Sequence, residues 1–179
     1  MKKFNTKALA QAAVLLALCI VSQLFKNLSV YITGPIINAC LIICALTAGR
    51  GWAIVLSIVT PVTSFFITGS PIMSAIPLII PCVMVGNIIL VVCVALLKNK
   101  PGSKVGLPLS MVVGSVAKAL FMGGVISLII IPAMLPEKMA PNMGVFQTTF
   151  SVTQLITALI GSVLAYLIMI PLKKIIKYQ

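Results

Sequence analysis

Lys118 is the residue around which the chemistry of this chain has to be argued. It stands in the run Gly114-Ser-Val-Ala-Lys118-Ala-Leu-Phe-Met-Gly123, near the middle of an apolar stretch from Leu107 to Met134. Thirteen residues of helix counted from Val105, at about 1.5 Å each, place it roughly 20 Å along the element, too deep for its side chain to reach water easily. A cation at the centre of a hydrocarbon layer costs about 2.5 to 3.5 kcal/mol on insertion scales, so Lys118 is expected to face the protein interior and to have a partner. No other apolar segment holds an acid, because the single acidic residue, Glu137, lies in a loop. Three kinds of partner remain. They are backbone carbonyls near Pro77 and Pro81, amide oxygens of Asn38, Asn87 or Gln147, and an anionic group on a bound solute.

The same inventory removes most catalysis. The chain has no His and no Asp, so a carboxylate pair, a Ser-His-Asp triad and a His-based metal site cannot be assembled from it. Cys40 and Cys44 are one helical turn apart, a spacing that suits a soft metal, but no imidazole or carboxylate completes a site. They read, with Cys19, Cys82 and Cys93, as small buried hydrophobes. A Gly-rich phosphate loop ending in Lys and Ser or Thr is absent, so the chain is not expected to hydrolyse ATP itself. Neither a catalytic residue, a metal nor a cofactor is expected. Proton-coupled carriers rely on intramembrane Asp, Glu or His, and none is available here. Sodium coupling through carbonyls and hydroxyls, passive flow, and energy supplied by another subunit all survive this test.

The elements that position Lys118 follow from hydropathy. Of the 179 residues 61% are apolar and 8% charged, with a mean hydropathy of +1.24, whereas a soluble domain carries about 25% charged residues. Lipid is the solvent for most of this surface. Six segments have about the twenty residues needed to cross a hydrocarbon core: Ala8 to Phe25, Tyr31 to Ala48, Trp52 to Thr68, Ile72 to Leu97, Leu107 to Met134 and Val145 to Leu172. Backbone polar groups in lipid must be satisfied within the segment, and no strand-like alternation is present, so the expected fold is all-α: one domain, residues 1–179, forming a bundle of six transmembrane helices.

Loop cations set the expected orientation. Lys2, Lys3, Lys7, Arg50, Lys98, Lys100, Lys104, Lys173, Lys174 and Lys177 fall on one side of a six-span chain, against Lys26 and Lys138 on the other. The side rich in Lys and Arg is the cytoplasmic one, which puts both termini inside. The first span is too long, and lacks the small-residue site, for a cleaved signal peptide. The net charge of +12 sits in short juxtamembrane clusters without interleaved aromatics, a pattern that suits lipid headgroups and topology control rather than nucleic acid. Trp52, beside Arg50 and Gly51, reads as an interfacial anchor.

Other polar groups within the spans are Asn38, Thr60, Ser64, Asn87, Ser115, Gln147, Thr148, Ser151 and Gln154. Hydroxyls bond their own helix carbonyls, so most Ser and Thr carry little information. Carboxamides seek partners in a dry interior, which keeps Asn38, Asn87 and Gln147 beside Lys118 as candidate solute-binding residues and ranks Gln154 below them. Gly34-Pro35, Gly69-Ser-Pro71, Pro77 and Pro81 interrupt regular backbone in the outer half of the bundle. Irregular backbone at that depth is tolerated where it lines a cavity, so an outward-facing pocket is expected there.

Three motifs carry a resemblance. The Ala-rich first helix Lys7-Ala-Leu-Ala-Gln-Ala-Ala-Val-Leu-Leu-Ala17, the Gly34-Pro35-Ile36-Ile37-Asn38-Ala39 opening of the second span and Pro81-Cys-Val-Met-Val-Gly86-Asn87 in the fourth resemble the substrate-binding S components of energy-coupling factor (ECF) transporters. The resemblance implies a membrane subunit that captures a vitamin or similar micronutrient and joins a transmembrane coupling subunit and two cytoplasmic ATPases; composition points to a bacterial inner membrane. Toppling of the S component in the membrane then delivers the solute. It further implies docking through small residues of the first helix, here Ala13 and Ala17, with Ala8 and Ala12 as a second register. Small residues four apart let another helix approach closely in lipid, although packing within the chain would use the same alanines. The rival readings are a stand-alone small secondary carrier or channel and a non-transporting membrane scaffold.

Overall fold

The computed structural model describes residues 6–25, 29–98 and 106–175. Lys2, Lys3, Lys26, Lys100, Lys104 and Lys177, used above for orientation, lie outside them. Nearly all of the described chain is helical, and six of its segments are long and apolar enough to cross a membrane. The helices are α1 (Thr6–Leu24), α2 (Val30–Thr47), α3 (Arg50–Thr68), α4 (Pro71–Ala75), α5 (Ile79–Leu97), α6 (Leu107–Met122), α7 (Ile131–Met134), α8 (Met143–Phe150) and α9 (Val152–Ile175). Helix α2 is the axis of the bundle and packs on α9, α1, α3 and α5, while α6 closes the ring between α5 and α9. An even number of crossings brings Thr6 and Ile175 to the same end.

Three departures from straight rods shape the end away from the termini. The expected span from Ile72 to Leu97 is two elements, α4 and α5, because a residue preceding proline disfavours helical backbone. Ile76, before Pro77, leaves the helix at φ −130°, ψ 81°. Pro81 lies in the first turn of α5, where a missing N–H loses no helical bond. The expected span from Val145 to Leu172 breaks at Ser151, φ −116°, ψ −88°. There the Gln147 carbonyl accepts the hydroxyls of Ser151 (2.7 Å) and Ser127 (2.8 Å), and the Ser151 N–H turns to Thr148 instead. The span from Leu107 to Met134 is continuous but widens into a π-helix over Gly123–Ile130. Pro132 has no N–H to give the Leu128 carbonyl and crowds it, and Gly123 and Gly124 contribute little to a regular helix, so the wider turn relieves both.

Burial separates the interior into layers. One apolar cluster, from Ala12 and Cys19 through Leu41, Leu46, Leu56, Val91 and Met111 to Ala165, fills the half near the termini. A second, with Ile72, Ile76, Ile79, Met122, Ile126, Ile131 and Phe150, fills the other end. Between them lies a buried polar layer that includes Asn38, Thr60, Asn87, Ser115, Lys118, Thr157 and Ser162. Ser115 and Ser162 meet there at 3.0 Å and tie α6 to α9 one turn below Lys118.

Candidate functional site

Lys118 is only 3% exposed. Its Nζ donates to Asn38 Oδ1 of α2 at 2.6 Å and to Asn87 Oδ1 of α5 at 2.8 Å. Of the partners open to it on sequence grounds, two carboxamides from two different helices are the ones it meets. No side chain there balances its charge, because Glu137, the only acid, is at the start of an exposed 3-10 segment over Glu137–Asn142 and does not line the cavity.

Glycines let the helices come this close. A Cβ on Gly161 of α9 would stand 2.7 Å from both the Pro35 carbonyl oxygen and Asn38 Cβ, so the backbone of α9 passes directly behind Asn38. A Cβ on Gly34 would meet Thr157 Cβ at 2.9 Å, along the same α2–α9 seam. A Cβ on Gly86 would meet the flexible end of Met122 at 2.8 Å, in the crevice that also takes the stem of Lys118.

The triad lines the floor of a cavity of about 150 Å³, whose walls rise to Val30 and Ser70 at the helix ends farthest from the termini. Ile37, Ile72, Met73, Val83 and Phe150 form its apolar surface, and Thr33, Thr60, Ser64, Thr149 and Gln154 its polar one. Several hydroxyls have already spent their hydrogens. Thr60 donates to the Leu56 carbonyl at 2.9 Å, Thr33 to the Ser22 carbonyl at 3.1 Å, and Thr149 to the Val145 carbonyl at 2.7 Å. Their remaining capacity is to accept.

Gln147 does not share this cavity. Its Nε2 donates to the Ser127 carbonyl at 2.9 Å while the Ser127 hydroxyl donates back to the Gln147 carbonyl. This reciprocal pair straps α8 to the π-helical segment beside a separate groove of about 640 Å³. Gln154, ranked lower from sequence, does line the Lys118 cavity. Thr33, Thr149 and Phe150 were not singled out from sequence. A signal existed for Thr33, which lies one turn before Ile37 and beside Gly34, the residue one turn before Asn38.

Gln23, in the last turn of α1, is 1% exposed and donates from Nε2 to the Thr60 carbonyl at 3.0 Å, while its Oε1 is buried without a partner. With the Thr33–Ser22 bond it ties α1 to two residues of the cavity wall.

The alanines of α1 divide by face. Ala8 and Ala12 are buried against the chain's own core, whereas Ala13 and Ala17 are exposed. Among the described residues no group of three His, Cys, Asp or Glu side chains is placed to hold a metal.

Compared with known protein families, residues 7–173 match the model of the ECF transporter substrate-specific component. No curated protein and no solved structure matches the chain.

Proposed function

The chain belongs to the family of ECF transporter substrate-specific components, and from that premise we propose that it captures a vitamin-like micronutrient at Lys118 for an ATP-driven importer. Its family makes it a substrate-binding, multi-pass membrane subunit of an ECF transporter, a transport component rather than an enzyme. The solute, the coupling and the residues are our reading.

One observation carries it. A buried cation with two amide oxygens and no acid retains both a hydrogen-bond donor and an unbalanced charge, and it lines the floor of a cavity. A purely structural lysine would be expected to meet an acid or to escape to water. An anionic group, or a strong acceptor, on the solute completes the set. Asn38 and Asn87 hold Lys118 in place and add their own N–H donors, while Gln147 braces the neighbouring α8.

The cavity lies at the end of the bundle away from the termini. With both termini cytoplasmic, as the loop cations indicate, that end faces outside a bacterial inner membrane, where a solute is captured. The exposed pair Ala13 and Ala17 is the surface we assign to the transmembrane coupling subunit, and the two ATPases supply the energy that this chain has no residues to generate.

Mass spectrometry of small molecules released from the purified chain tests this reading, with wild type and Lys118→Ala run side by side and Lys118→Met as a second, better-packed variant. The expected result is a retained solute that both variants lose while eluting as folded protein. An empty wild type that gains no thermal stability across a vitamin panel would remove the capture role and leave a stand-alone carrier, a channel or a scaffold.

A further inference from the structure

The cavity has a polarity that narrows the solute, provided the capture reading above holds. At its floor the groups are donors. An ammonium has three N–H bonds, and Lys118 spends two on Asn38 and Asn87. The two carboxamides, with their oxygens turned to Nζ, offer Nδ2 hydrogens as what they have left. Higher up the wall acceptors are added, because the hydroxyls of Thr33 and Thr149, like that of Thr60 near the floor, have given their hydrogens to backbone carbonyls and present lone pairs. A matching solute therefore has an anionic acceptor at one end and N–H or O–H donors along its body.

Charge and shape narrow it further. Among the described residues Lys118 is the one charged side chain lining the cavity, enough for a monoanion, whereas a phosphate dianion is ordinarily met by several charge-assisted donors. A cationic solute would face Lys118 with no acid to shield it. Among the described residues Phe150 is the only aromatic side chain lining the cavity, with no second ring among them to sandwich a flat solute, and the other apolar walls are aliphatic. A cavity of about 150 Å³ is of the size that takes a benzene-sized group, which favours a compact solute.

We infer that the captured solute is a compact, non-aromatic monocarboxylate bearing hydroxyl or amide N–H groups, bound with its carboxylate on Lys118 and the Nδ2 groups of Asn38 and Asn87.

The test uses the full chain in lipid nanodiscs. Calorimetric titrations compare two acids, pantothenate and N-acetylserine, with their methyl esters, and with riboflavin as a fused-ring probe and thiamine as a cationic one. Any solute released from the purified protein is identified in parallel. The expected outcome is that an acid of this class binds or is found retained, and that its methyl ester binds about 30-fold more weakly, since a hydrogen bond to a charged group is lost. Binding or retention of riboflavin, thiamine, a phosphate ester or any solute without a carboxylate overturns the inference while leaving the capture reading intact. An acid that binds no better than its ester overturns it too. No retained solute and no binding by any probe defeats the capture reading, and this inference with it.

Discussion

Lys118 and its two amides behave as one unit, because each makes sense only with the others. Replacing Asn87 by leucine removes one of the two acceptors on a buried cation, and hydrogen bonds to charged groups contribute about 1.5 to 3 kcal/mol. Asn87→Leu is expected to lose that much stability in thermal or denaturant unfolding in detergent. In Lys118→Met the same substitution should cost little, since no ammonium is left to satisfy, and a double-mutant cycle measures the difference. Additive losses would mean that the 2.8 Å contact carries no coupling. Gln147→Leu is the contrast at this scale. It cuts the strap to Ser127, so it should lower stability yet change solute affinity less than about threefold, a difference below roughly 0.7 kcal/mol.

At the scale of elements, the position of Asn38 depends on how closely α2 and α9 approach. Gly161→Ala would place a methyl group 2.7 Å from the Pro35 carbonyl and from Asn38 Cβ, contacts that only a shift of helix backbone can relieve. Overpacking of this kind costs about 1 to 3 kcal/mol, and the displaced Asn38 should weaken solute binding as well. Gly124→Ala meets nothing within 4 Å and should leave both measurements unchanged. Equal effects from the two substitutions would show that the seam is not what positions the site. Hydropathy found the six spans but not the breaks within them. Pro77 announces the gap between α4 and α5 through its effect on the preceding residue, whereas the break at Ser151 has no proline. It arises because Ser127, from a distant part of the chain, helps draw away the Gln147 carbonyl, and a contact of that range leaves no local trace.

For the whole molecule, burial distinguishes the central helix from the peripheral one, with 67% of the α2 window enclosed against 28% for α1. Ala13 and Ala17 lie on the open side of α1, Ala8 and Ala12 on the closed side. Ala17→Phe is therefore expected to preserve folding and solute affinity while abolishing co-purification with the coupling subunit. Ala12→Phe, placed at a residue 2% exposed, should destabilise the chain itself by about 1 to 3 kcal/mol. If Ala17→Phe left assembly intact, another face would have to dock. Membrane residence, the number of spans and the lack of His and Asp are all determined by the sequence alone. Each depends on which residue types are present and how many follow one another, quantities that a linear chain already contains. Only the tertiary structure decided that Asn38 and Asn87 meet Lys118 while Gln147 does not, that the hydroxyls of Thr33, Thr60 and Thr149 donate to backbone carbonyls, and which pair of alanines stays free. Those are questions of which faces of six similar apolar helices turn toward one another, and hydropathy is nearly the same on every face.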